Sequence, residues 1–490
     1  MIIVDDVPPE RQPRRRWIAL GIVCVGMTMN VLDQTIVNVA LPTIQRSLHF
    51  TQPGLAWVID AYLITFGGFL LLAGRLGDLA GRKKIFLGGV GLFTVSSVAC
   101  GLASTQTMLI AARFAQGAGA AFSASVVLAI IVGEFPDPLE RTRATSVYII
   151  VAVGGGSLGL LLGGLLTQVL SWHWIFFINV PIGLATLVSG TILLDENEGL
   201  GMRAGVDVAG ALLSTAGLML AVYAIVTSSD YGWGSGHTLA FGSAALALLV
   251  AFFVLETRLS TPLMPLRVLR SRGLGSTSLT RGLMVMGMFS TFFLGALYLQ
   301  HLRGFDPVET GLAFLPQTLT VAVLATGPTG WLMRVLRPKP TAMIGLGTIL
   351  AGLLLWVPID PTTSYFPRLC LAMFLIGLGS SLAFTPLLTV GLAEIPQPDA
   401  GMGSGVINVS QQVASAVAVA VLGVVSSNRT RVLLAHGSSA TQALAGGYQL
   451  GFVVAAVCIC VALVVCLALV PAPEATAEPD LAPVVESVDI

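Results

Sequence analysis

The sequence predicts an all-α integral membrane protein of fourteen transmembrane helices, and three observations lead there. Of 490 residues, 55% are hydrophobic and only 10% charged, against roughly 25% charged in a soluble domain. Mean hydropathy is +0.88, and apolar runs recur from residue 17 to residue 471, each near the ~20 residues that cross a bilayer. The basic residues, finally, gather in alternate loops. No polar stretch is long enough for a sizeable soluble catalytic domain, and 25 basic against 25 acidic side chains leave no net charge to draw nucleic acid.

Runs bounded by charge, Pro or Gly clusters predict helices over 17–41, 54–73, 85–103, 107–132, 144–169, 174–194, 206–227 and 238–255. The rest fall at 274–299, 311–333, 341–358, 366–388, 402–425 and 449–471. With the N-terminus in the cytoplasm, eighteen of the 25 Lys and Arg residues face inward, among them Arg14, Arg15, Arg16, Arg75, Arg82, Lys83, Lys84, Arg334 and Lys339. Only Arg46, Arg303, Arg368, Arg429 and Arg431 face outward, and Arg113 and Arg281 fall within helices. The positive-inside rule then puts both termini in the cytoplasm and favours an even number of spans. The triple arginine before the first apolar run suggests a signal peptide. That run, however, continues through Asn30, Asp33 and Asn38 without a small-residue cleavage site, so it is read as the first span. All six cysteines sit inside apolar runs, as small core residues and not as disulfides or metal ligands.

The pattern repeats. Gly74-Arg-Leu-Gly77 followed by Arg82, Lys83 and Lys84 after the second span has an echo in Gly327-Pro-Thr-Gly330 followed by Arg334, Arg337 and Lys339 after the tenth. Two six-helix units follow, 1–195 and 273–471, separated by two extra helices and a cytoplasmic linker at 196–272 and trailed by a disordered cytoplasmic tail at 472–490. Internal repeats of this kind characterise secondary transporters. The chain has no GxxxxGK[ST], so a nucleotide-driven pump would need another subunit; the expectation is instead a proton gradient as the drive, with no cofactor and no ATPase subunit. The GxGxxG from Gly154 to Gly159 and the GxSxG around Ser157 lie inside an apolar span, where neither can form the strand–loop–helix it needs.

Ionisable side chains at bilayer depth mark function, because an isolated charge there costs at least ~2.5–3.5 kcal/mol. Asp33, Asp60 and Arg113 lie at similar depths on spans one, two and four, and make the proton-coupling set. Arg113 is the expected partner of Asp33, whose proton affinity then depends on whether the cation or water faces it. Asp33 is read as a cavity-facing proton or cation site in preference to a structural ion pair or cap, with Asn30, Gln34, Asn38 and Gln116 around it as substrate-binding groups, joined by Trp57, Tyr62 and Phe292. Two readings of these aromatics stand: a pocket for aromatic cations, or packing and lipid-facing bulk. Asp60 is likewise either a second site or a hydrated group at the helix mouth. Arg281, near the inner end of span nine, is read as snorkelling to the surface, and 261–272 as an amphipathic surface segment. The five histidines all fall in outer loops.

These residues resemble a known family. Leu32-Asp33-Gln-Thr-Ile-Val-Asn38-Val-Ala-Leu-Pro42 is similar to the first-span signature of the fourteen-span drug:proton antiporters (QacA/EmrB-like) of the major facilitator superfamily. Gly74-Arg-Leu-Gly77-Asp78-Leu-Ala-Gly81-Arg82 resembles the superfamily's loop motif, Arg113-Phe-Ala-Gln116-Gly117 its fourth-span motif, and Trp172-His-Trp174 through Asn179 to Gly183 the entry to the sixth span. The resemblance implies the major facilitator fold and proton-coupled efflux of several drugs or lipophilic cations by alternating access. The protein would be a monomer in a bacterial plasma membrane, with small organic molecules, protons and lipid as its partners. It also implies that Gly74, Gly77, Asp78, Gly81 and Arg82 form a conformational latch reaching towards span thirteen. Gly155, Gly159, Gly163 and Gly164 read as a helix-packing face. Leu160 stands where the family has Pro in this run, which removes a kink. The rival readings are an importer or exporter of one metabolite, and a receptor or enzyme without transport, the latter lacking any polar catalytic cluster.

Overall fold

The computed structural model describes residues 11–135, 137–196, 199, 207–259, 272–325, 328–393, 395 and 400–471. The tail and nearly all of the expected surface segment at 261–272 lie outside them. The described chain is helical throughout. The first six helices are α1 (Arg11–Leu48), α2 (Gln52–Ala80), α3 (Arg82–Gly101), α4 (Gln106–Ser125, continued by Val127–Glu134), α5 (Pro138–Val169) and α6 (Trp174–Phe177, then Asn179–Leu193). Two more are α7 (Val208–Tyr231) and α8 (Gly236–Arg258). The second half contains α9 (Arg272–Ser290, a π turn at Thr291–Gly295, then Ala296–His301), α10 (Pro307–Ala313, Leu315–Ala325 and Pro328–Leu336) and α11 (Pro338–Trp356). It ends with α12 (a π turn at Tyr365–Leu369, then Cys370–Ala393), α13 (Ala400–Ala435) and α14 (Ala440–Leu469). Among the described residues, twelve helices are long and apolar enough to cross a membrane; α5 and the thrice-segmented α10 complete the fourteen.

Several helices overrun the expected spans. The first reaches from Arg11 to Leu48, and the thirteenth runs on to Ala435. Hydropathy marks only the stretch in hydrocarbon, whereas a helix continues into water until a cap stops it. The starts are capped as the sequence dictates. Thr51 accepts from Gly54 N at 3.1 Å, Thr105 from Met108 N at 3.2 Å, and Ser235 from Thr238 N at 3.1 Å. Asp306 and Glu309 form a reciprocal capping box at α10. Gly81, at φ 102°, ends α2 with a conformation that an L side chain rarely adopts.

The two halves repeat in side-chain detail. Lys83, at the start of α3, donates to the carbonyls of Thr191 and Leu194 (2.9 and 2.7 Å), closing the end of α6. Lys339, at the start of α11, donates to Leu467 and Val470 (3.0 and 2.7 Å), closing the end of α14 in the same way. The close crossings correspond too. A Cβ on Gly119 would stand 2.9 Å from Gly89 O between α3 and α4, and one on Gly345 2.6 Å from Gly379 O between α11 and α12.

The halves meet along two seams. On one, Gly67 of α2 abuts Gln412 of α13 at 3.0 Å from its would-be Cβ, and Gly68 receives Thr215 of α7, so the first extra helix lies against this joint. The second, α8, packs on α7 and turns most of its surface outward. On the other seam α5 crosses α10, with Gly164 against Pro307 and Val308, and Gly311 against the Leu160 carbonyl. Gln300 donates to Val39 O (2.8 Å) and Gln168 to Asp306 (3.1 Å) near that crossing, closing the end of the molecule away from Lys83 and Lys339.

Candidate functional site

The polar centre lies inside the first half and is built from five helices. Asp33 of α1 and Arg113 of α4 are 0% and 1% exposed, and Arg113 Nη1 lies 2.5 Å from Asp33 Oδ2. Asp33 Oδ1 accepts from Gln116 Nε2 at 2.8 Å and from Asn179 Nδ2 of α6 at 3.1 Å. Gln116 also accepts from Arg113 Nη1 (2.7 Å) and donates to Ser97 Oγ of α3 (2.9 Å). Arg113 Nε donates to the Val58 carbonyl of α2 at 2.8 Å, and its guanidinium lies 4.5 Å from the Tyr62 ring centre and 5.8 Å from that of Phe176. Both carboxylate oxygens are thus occupied and the cation is held by a carboxylate, two oxygen acceptors and two rings. A buried pair repays its desolvation only with such complete pairing.

Asp60 is the opposite case. It is 0% exposed, and neither carboxyl oxygen has a hydrogen-bond partner among the described residues.

The other predicted residues divide. Asn30 donates to Ser123 Oγ at 2.8 Å, and Asn38 donates to Gln34 O (3.0 Å) and Thr35 O (3.3 Å) of its own helix. Trp57 packs on Phe114, 6.1 Å between ring centres. Phe292 stacks on Phe314 at 5.5 Å and lines a cavity of about 170 Å³ in the second half. Expected to face a cavity with these groups around it, Asp33 instead faces the interior of its own bundle, because its donors come from α4 and α6. Arg281 does not snorkel. It is 6% exposed, with Nη2 3.3 Å from Gln411 Oε1 of α13 and its guanidinium 5.1 Å from the Phe384 ring centre. Its helix continues well beyond it on both sides, so the side chain is enclosed by α12 and α13.

In the loop motif, Gly77 packs against Val126 at the break in α4 and Gly74 against Ser125. Asp78 is exposed and lies 3.5 Å from Arg82 Nη2, while Arg82 Nη1 donates to Ala129 O at 3.0 Å. Residues 396–399, just before α13, lie outside the described ones. Of the glycine run, Gly155, Gly159 and Gly163 face Val31, Leu32 and Ile36 of α1, and Gly164 faces α10. Ser97 and Asn179 are functional-site residues that the sequence analysis did not single out. Asn179 lies inside the sixth-span motif, where its polarity in an apolar run was a usable signal; Ser97 offered none.

A polytopic helical protein of two related halves, with a buried ion pair at the centre of one, is of the secondary-transporter type. The chain belongs to the Major Facilitator Superfamily, whose family model matches residues 23–419, and it is a multi-pass membrane transporter and not an enzyme. It is similar to the puromycin resistance protein of Streptomyces alboniger, 37% identical over 443 residues that cover 90% of this chain and 88% of the other. The cephamycin export protein of Amycolatopsis lactamdurans is 34% identical, over 84% of this chain and 85% of its own. Among solved structures, the POT family transporter PepTSo superposes with a TM-score of 0.65 at 15% identity, covering 92% of this chain and 98% of that one; this is a likeness of fold.

Proposed function

We propose that the protein exports small organic molecules, drugs or antibiotics among them, in exchange for protons, as a monomer in a bacterial plasma membrane with both termini in the cytoplasm. The resistance and export roles of its relatives support the direction, and the basic residues along the end marked by Lys83 and Lys339 support the orientation. The observation that carries the coupling is the unpartnered Asp60 carboxyl at 0% exposure. An unpaired charge at that depth costs at least ~2.5–3.5 kcal/mol, so Asp60 calls for a proton or a cationic substrate from outside the protein. Asp33, saturated by Arg113, Gln116 and Asn179, is the site whose charge the chain itself balances. The two halves rock against each other, opening the space between them alternately to each side.

Asp33→Asn is expected to insert and to keep its helices while losing uphill export, since the neutral side chain has no proton to exchange. Purified protein in proteoliposomes with an imposed pH gradient measures this; full pH-driven transport of ethidium by the variant would remove Asp33 from the coupling.

A second expectation concerns stoichiometry with a monovalent cation. One proton in for one cation out moves no net charge and draws only on the pH difference, about 1.4 kcal/mol or tenfold per unit. Two protons add a second such contribution and about 2.3 kcal/mol per 100 mV. With both acids in use, an imposed potential at zero pH difference drives export, and Asp60→Asn abolishes that sensitivity. Indifference of the unmodified protein to potential would rule out the two-proton exchange.

A further inference from the structure

We infer that the second half holds a recognition site for the negatively charged group, a carboxylate above all, of an aromatic or otherwise apolar organic molecule. The site is built around Arg281, Gln317 and Phe384, and the inference names a substrate class for the export proposed above, on which its transport meaning rests. Among the described residues each half buries one arginine deep among its helices. In the first half Arg113 is matched by Asp33. Arg281 has no such match: at 6% exposure its Nε and Nη1 have no hydrogen-bond partner among the described residues, and Nη2 has only the neutral Gln411 oxygen at 3.3 Å. A guanidinium carries five donors in a rigid fork that fits a carboxylate in two places at once. Buried and unfilled, it is costly to the protein alone.

A place for the rest of the ligand adjoins it. Phe384 stacks on the guanidinium and also lines the cavity of about 170 Å³, so Arg281 lies one side chain from that space. Phe292, Met288 and Val321 give the cavity apolar walls. Gln317, 1% exposed and also on its wall, has neither its amide oxygen nor its nitrogen bonded to any described group. Two buried polar side chains with unused hydrogen-bonding capacity, Arg281 against the Phe384 ring and Gln317 on the wall of the cavity that this ring lines, make a site with a charged end and an apolar body. Turning of the Phe384 ring joins the two. The half that holds Asp60 offers the opposite charge, so the protein carries separate groups for cationic and anionic substrates.

The test compares 2-naphthoate with its uncharged counterpart 2-naphthamide, measured by calorimetric titration of the full-length protein in lipid nanodiscs. The unmodified protein is expected to prefer the carboxylate by about tenfold or more, the size of a charge-assisted contact. Arg281→Gln is expected to lose that preference and Arg281→Lys to keep part of it. Gln317→Ala is expected to weaken both probes. Equal affinities in the unmodified protein overturn the site without any variant, and so does a preference that survives in a monodisperse Arg281→Gln. Ethidium efflux by the unmodified protein is followed in parallel. Its absence counts against the export reading alone, since the binding preference does not depend on it.

Discussion

Arg113→Ala is expected to lower the thermal transition of the detergent-purified protein sharply and to abolish transport. Removing the guanidinium leaves the Asp33 carboxylate buried with only two amide donors, and deleting one partner of a buried pair costs about 3–5 kcal/mol. It also frees Val58 O and empties the space between the Tyr62 and Phe176 rings. The informative comparison is with Arg113→Ala in an Asp33→Asn background. There no charge is stranded, so the double variant should be more stable than Arg113→Ala alone, although equally inactive. Non-additivity of this sign is the signature of a direct pair. A double variant no more stable than the single would mean that Asp33 is not held by Arg113.

Gly164→Val is expected to have a comparably large effect on transport with little effect on either half by itself. A Cβ there stands 2.8 Å from Val308 Cα, with the Pro307 carbonyl closer still, and these belong to backbone that cannot swing aside. Overpacking of about 1–3 kcal/mol shifts a two-state population by roughly 5–150-fold, here away from the state in which α5 and α10 touch. Thr310, fully buried and next in the chain to Gly311 of the crossing, supplies the reporter. In a background free of the native thiols, a cysteine at that position should react with a soluble maleimide much faster once Gly164 is Val. Unchanged labelling together with unchanged export would show that the crossing does not close the pathway.

How much of this was legible beforehand follows from what each residue had to contend with. The helices could be placed because hydrocarbon leaves backbone hydrogen bonding only helices and closed barrels, and apolar runs of about 20 residues fit the helix. Asp33 and Arg113 could be paired because each is expensive in isolation and their depths agree. Ser97 could not be found, since a serine in a membrane helix satisfies itself on the preceding turn, as this one does with Phe93 O at 2.8 Å, and shows no need of a partner. Arg281 was misplaced for a related reason. Distance from the helix end predicts a side chain's reach to water but says nothing of which neighbours enclose it, and α13 was too far along the chain to be assigned to it. The repeat was visible as an echo of glycines and basic residues after spans two and ten, yet its plainest mark, Lys83 and Lys339 each closing the last helix of its own half, relates residues more than a hundred positions apart.

The position of α7 bears on how a lipophilic compound gets in. A molecule dissolved in the bilayer moves sideways within one leaflet, and it enters the protein only where two helices part towards lipid. Along the α2–α13 joint that opening is roofed by α7, which contacts both helices, with α8 behind it. Among the described residues the joint between α5 and α10 has no such cover from the extra pair. The extra pair therefore makes the two joints unequal towards lipid: one is roofed, and the other, where Gly164 and Gly311 make their backbone contacts, borders the bilayer directly among the described residues.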